Sequence, residues 1–135
     1  MKFNNSKNEF ILNLKSIQFL YMTINEFKIK LKDNKKSITF SETMQVIEDN
    51  YTFTPTAFTN GDIKNNLEQN SGSCKLFAFA IDQQLTKPET LACFGEHYLA
   101  VLEDATGNSH QNIRNFIKTG FKGLTFEGDV LKLKN

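Results

Sequence analysis

Tryptophan is missing from this chain of 135 residues, arginine occurs once, and cysteine and proline occur twice each. Without tryptophan, the aromatic part of a core falls mainly to thirteen phenylalanines, whose rings need no hydrogen-bond partner. Two cysteines are too few for a disulfide framework. Cys74 and Cys93 each sit in an apolar, helix-like stretch, so both are expected as reduced core thiols. A charge excess is missing too, because sixteen basic residues against fifteen acidic ones leave a net charge of +1. That excludes the basic footprint of a general nucleic-acid binder. The apolar run from Phe10 to Met22 is interrupted by Asn13, Lys15 and Gln18, so it reads neither as a membrane span nor as a secretory leader. What remains is a soluble domain with one core, suited to a reducing cytosol and in need of no metal or cofactor.

What is present is helical periodicity. Phe10, Leu14, Ile17, Tyr21, Ile24, Phe27 and Leu31 recur at three- and four-residue steps, as one face of a long helix would. Thr23 and Glu26 stand at capping-box spacing, which also lets a helix begin there. Residues 1–22 are therefore read as an extension, either a helical arm or the product of a start site misassigned upstream of Met22, and residues 23–135 as the single domain. A second helix is expected over Phe40, Met44, Ile47 and Tyr51 with Ser41 as its cap. Thr and Phe alternate from Tyr51 to Gly61, which predicts an extended segment ending in a turn. Ser73 to Leu85 predicts a buried helix, and the polar stretch Lys64 to Ser73 a mobile surface connection. Thr86, Pro88 and Glu89 predict the start of a helix that carries Leu91, Phe94, Tyr98 and Val101 on one face. Gly107 to Ser109 turn the chain into a last helix through Ile113, Phe116 and Ile117, closed by Gly120. Leu124 and Phe126, then Val130 or Leu131 and Leu133, flank Glu127-Gly128-Asp129 as a hairpin would. The expected class is mainly α (α+β), a compact bundle of about five helices with an extended Thr/Phe segment and a small C-terminal β-hairpin.

The residues that could carry chemistry are few. Cys93 and His97, four apart, have the spacing of a thiolate–imidazole pair, but no further Cys or His supplies a metal set, and a core role is the plainer reading. Cys74 near a helix start could be activated by the dipole, which burial among phenylalanines would oppose. Asn60, Gly61 and Asp62 lack the alternating acids of a calcium loop and read as a turn. Lys28, Lys30, Lys32, Lys35 and Lys36 form a basic cluster that reads as a solvated face rather than a membrane or RNA contact. Ser109 to Phe116, SHQNIRNF, concentrates hydrogen-bonding side chains at a helix start and holds the sole arginine. Helix N-terminal N–H groups and a guanidinium fork both suit a carboxylate or phosphate. The alternative for Arg114 is an internal clamp on loop carbonyls or an acidic side chain.

The strings TFSETMQVIEDNYTFTPTAFTNGD, NSGSCKLFAFA, LACFGEHYLAVL and HQNIRNFIKTGFKGLTFEG closely resemble the HopJ family of type III effector proteins, in unbroken order from Ile24 to Leu133. The resemblance implies a bacterial protein proposed to pass through a type III secretion apparatus into host cells, and it implies no catalytic set. The extension at the N-terminus departs from the family pattern, at the end of the chain where such export signals lie.

Three readings follow. In the first, an effector-like protein binds a host or bacterial protein partner through the polar surface near Asn60, Asp62 and the SHQNIRNF helix. In the second, a cytoplasmic small-molecule binder or enzyme uses His110 as general acid or base, with Asn60, Asp62, Asn112, Arg114 and Asn115 as ligand contacts. In the third, the same polar residues are caps and clamps that join the Thr/Phe segment to the last helix.

Overall fold

In the computed structural model, which describes residues 22–135, helix α1 (Ile24–Asp33) starts at the Thr23 cap. The Thr23 hydroxyl accepts from Glu26 N at 3.1 Å and donates to Glu26 Oε1 at 3.0 Å. The expected helical arm before Met22 and the alternative start site lie outside the described residues. Phe27 and Leu31 bury one face of α1, which ends at Asn34 and a 3₁₀ turn, Lys35–Ser37. Helix α2 (Phe40–Asn50) is capped by Thr39 rather than by the expected Ser41: Thr39 holds extended backbone and its hydroxyl accepts from Glu42 N at 3.1 Å. Buried Glu42 in turn takes Lys30 Nζ at 2.8 Å, fastening α1 to α2.

The chain passes from α2 straight into β1 (Tyr51–Phe53), then β2 (Phe58–Asn60), the Gly61-Asp62 turn and β3 (Ile63–Asn65). The stretch expected as a mobile connection thus includes a strand, and its Asn65 is buried. Helix α3 (Ser71–Asp82) is central as its all-round apolar sequence predicts, with Leu76, Phe77, Phe79 and Ala80 free of solvent. Phe77 collects the core: its ring lies 6.3 Å from that of Phe58, 5.4 Å from Phe94 and 5.0 Å from Phe116.

The single helix expected after Thr86 is two helices, α4 (Lys87–Ala92) and α5 (Glu96–Glu103). The capping box forms, with Glu89 N donating to Thr86 Oγ1 and Thr86 N to Glu89 Oε1. The break follows from α2. In a continuous helix the Cys93 carbonyl would accept from His97 N, but here it accepts from the Thr43 hydroxyl at 2.8 Å, and His97 N turns to Phe94 O. Gly95 completes the break at φ +56. Helix α6 (Gln111–Thr119) and a 3₁₀ turn (Gly120–Gly123) lead to β4 (Leu124–Phe126) and β5 (Leu131–Leu133).

The expected C-terminal hairpin does not form. β4 pairs antiparallel with β2 (Phe58↔Phe126, Thr59↔Thr125, Asn60↔Leu124), and β5 pairs antiparallel with β1 (Tyr51↔Leu133, Phe53↔Leu131). An isolated two-stranded hairpin would leave its faces wet and the edges of β1 and β2 unpaired. Crossing over instead stacks Phe126 on Phe58, ring centroids 5.7 Å apart. The result is a mainly helical α+β fold with six helices among the described residues and two small antiparallel sheets, β1-β5 and β3-β2-β4.

Candidate functional site

The asparagines of the turn and of the last helix meet in one network. Asn60 Nδ2 donates to Asn112 O at 2.8 Å and to Asn112 Oδ1 at 3.0 Å. Asn112 Nδ2 donates to Asn65 Oδ1 at 2.9 Å, which also accepts from Asn70 Nδ2 at 2.7 Å. Asn115 Nδ2 donates to Asn60 O and to Asp62 Oδ1, both at 2.7 Å. These amides tie the β2–β3 turn to α6 as ladder bonds would, because Asn can donate and accept at once. Asp62 stays exposed, and the bond from Asn115 holds its carboxyl below the ordinary range.

Arg114 points away from this network. Its Nε donates to Ser109 O at 2.5 Å and its Nη1 to Ala105 O at 3.2 Å, while Nη2 lies 4.0 Å from Asp104 Oδ2. The guanidinium is buried and closes the loop between α5 and α6, the clamp geometry rather than an open fork. The structure therefore gathers Asn60, Asp62, Asn112 and Asn115 in one group and leaves Arg114 in another.

His110 faces a different space, an open cleft of about 380 Å³ between the N-termini of α3 and α6. Phe40, Asn70, Gly72, Ser73, His97 and His110 line it, with Gln111 and Asn112 behind. The His97 and His110 rings lie 5.0 Å apart, and the edge of one of the Phe40 and His97 rings meets the face of the other at 4.9 Å. Both helices are preceded by a residue in the left-handed region: Asn70 and His110 each have φ +54 and give no side-chain cap. Asn and His are among the residues that accept this conformation most readily. Among the described residues, no protein group accepts from the N–H of the lining residues Gly72, Ser73, Gln111 or Asn112. The cleft is thus rich in donors whose acceptors the fold does not supply.

The thiols take no part. Cys93 is fully buried beside the α4–α5 break, its thiol pushed up to about 12 by burial. Cys74 donates to Thr56 O at 3.5 Å and is pushed up to about 11, again by burial. The four-residue spacing of Cys93 and His97 does not make a pair, because the helix that would align them is broken between the two. Sequence reasoning places His97 beside Cys93 and singles out His110 without its neighbour His97, and it gives Phe40, Asn70, Gly72 and Ser73 no part in a site. The one available signal was that Asn70-Ser71-Gly72-Ser73 and Ser109-His110-Gln111 are both polar helix starts.

A family model described as HopJ type III effector protein matches residues 24–131. The crystal structure of VPA0580, a protein of unknown function, is similar with a TM-score of 0.82 and 49% identity, covering 84% of this chain and 95% of that one. No curated protein matches the chain. No helix among the described residues is long and apolar enough to cross a membrane.

Proposed function

The chain belongs to the HopJ type III effector family, and from that premise we propose that it is made in the bacterial cytosol, exported, and acts by binding a protein partner. The cleft between α3 and α6 is the contact, and it receives an anionic oxygen group, a carboxylate or a phosphate, from that partner. The observation that carries this reading is that one cleft is lined by two imidazoles and by four residues whose backbone N–H groups have no protein acceptor among the described residues. Helix N-termini and imidazoles both favour negative oxygen. Binding is favoured over catalysis because the described thiols are buried and protonated at neutral pH, and His97 Nε2 is 3.9 Å from Glu96 Oε1, beyond hydrogen-bond reach of an orienting carboxylate.

Calorimetric titration tests it with three probes: inorganic phosphate, a phosphoserine peptide, and an unmodified peptide with a free C-terminal carboxylate. At least one binds, and which one does identifies the source of the anion. Combining His97→Gln with His110→Asn weakens that binding about tenfold or more by replacing both imidazoles with amides, which are always neutral and place their donors elsewhere. Asn at position 110 keeps a residue tolerant of positive φ, so the melting temperature stays close to wild type. Failure of all three probes, or binding that ignores both histidines, sinks the reading.

A further inference from the structure

A second concavity lies on the other side of α5. The 3₁₀ turn after α1, helix α4 and helix α5 enclose a groove of about 250 Å³ whose floor is Ile38, Ala92 and Tyr98. Its open wall is the face of α5 that carries Leu99 and Leu102, which are 49% and 55% exposed. Position 95, then Tyr98, Leu99 and Leu102 follow helical spacing, so this is one continuous stripe rather than scattered surface leucines. Lys35 and Lys36 form the opposite rim. Both are exposed and neither forms an ion pair or side-chain hydrogen bond among the described residues. Lys32 and Lys35 both act on the carboxylate of Glu89, which accepts from Thr86 N in the α4 cap and forms no ion pair with either lysine. Lys28 and Lys30 of the same cluster are engaged elsewhere, by Gln83 and Glu42.

We propose that this groove docks an acidic amphipathic helix of a partner protein, its leucine-like side chains against Leu99 and Leu102 and its carboxylates toward Lys35 and Lys36. The reasons are charge and shape. An apolar trough with one basic rim that makes no close ion pair is complementary to a helix with an apolar stripe and acids along one edge. A flat anionic membrane would reach the lysines but not the recessed floor formed by Ile38 and Ala92. The groove shares no lining residue with the α3–α6 cleft, so the inference stands independently of the anion reading.

The chain's lack of tryptophan makes the test direct, since a single tryptophan in a probe peptide reports its own burial. Two synthetic helical peptides share a Leu-Leu-Trp stripe, one flanked by Glu and the other by Lys at the same positions. The intact chain shifts the emission of the Glu peptide to the blue and binds it about tenfold tighter than the Lys peptide at low salt. Leu99→Asp with Leu102→Asp abolishes the shift, and Lys35→Glu with Lys36→Glu reverses the preference. All four positions are exposed, so circular dichroism shows folded variants. Equal binding of the two peptides, or binding that survives the Leu99/Leu102 changes, overturns the proposal. So does binding only by a chain begun at Met22, which assigns the groove to residues 1–21. Self-association broken by the leucine variants overturns it in favour of a second copy. Capture by phosphatidylglycerol vesicles without peptide binding overturns it in favour of a membrane. Binding unchanged in the His97→Gln, His110→Asn variant keeps this result separate from that of the cleft.

Discussion

Asn112 has the same residue type as four neighbours in its network and a different task from each. It is buried, presents its carbonyl oxygen to Asn60 and Asn65, and presents its amide to Asn65. Each partner keeps another bond: Asn60 Nδ2 to Asn112 O, Asn65 Nδ2 to Phe58 O, and Asn65 Oδ1 from Asn70. Asn112→Ala therefore leaves weakened rather than stranded groups, and it costs about 1–3 kcal/mol in urea denaturation. Asn112→Asp restores the two acceptor contacts but sets a carboxylate against Asn65 Oδ1. Its loss should exceed that of the alanine variant at neutral pH and shrink when the carboxyl is protonated in acid. A loss equal at both pH values would show that the amide orientation does not matter. None of this network was legible from composition, because Asn60, Asn65, Asn70, Asn112 and Asn115 are common surface residues scattered over 56 positions. Arg114 was more visible, since a sole arginine among lysines points to fork geometry, although the sequence leaves open whether the fork grips a ligand or its own loop.

At the scale of elements, the sequence is most readable where structure is made by near neighbours. The Thr23 and Thr86 caps and the apolar faces of α1, α3 and α6 follow from spacing alone. The break between α4 and α5 does not, because Leu91, Phe94, Tyr98 and Val101 keep one helical period straight through it. It is imposed from α2, through the Thr43 bond to Cys93 O and the approach of the α2 N-terminus. A Cβ at position 95 would stand 2.6 Å from Phe40 N and 2.9 Å from Ile38 O, both backbone atoms that cannot swing aside. The backbone there also has φ +56, which disfavours any side chain. Gly95→Ala, a change that would stabilise an ordinary helix interior by about 1 kcal/mol, should here destabilise by about 3 kcal/mol or more. A thermal melt of the variant decides between the two signs. A raised melting temperature would mean that α4 and α5 can join and that the break is incidental. The absent C-terminal hairpin has the same origin: Glu127-Gly128-Asp129 looks like a local turn, but the partners of β4 and β5 were made about seventy residues earlier.

The whole molecule is closed by those distant pairings, and three titratable groups buried inside it report on the closure. Cys74 comes from α3, Cys93 from the α4–α5 break and Tyr51 from β1, so no partial opening of one element exposes all three. Burial raises the thiols from the ordinary 9.0 to about 11 and about 12. It also raises Tyr51 from 10.0 to about 12, helped by the bond to Asp82. Between the ordinary and raised values the unfolded chain has lost protons that the folded chain still holds. Their contribution is thus fully present below pH 9 and is lost as the pH climbs toward 12, with a limiting slope of about 1.4 kcal/mol per pH unit for each group. Urea midpoints should hold steady from pH 7 to 9, as far as these groups are concerned, and fall above it. Exposed lysines also titrate at high pH, so the thiol part is isolated by combining Cys74→Ala with Cys93→Ala. Small cavities lower that variant's stability at every pH, an offset without slope. Its decline just above pH 9 should nevertheless be shallower than that of the wild type. Parallel declines would mean that the thiols ionise as easily in the folded chain as in the unfolded one, and that the core around Phe77 is open to water at the scale of a thiol.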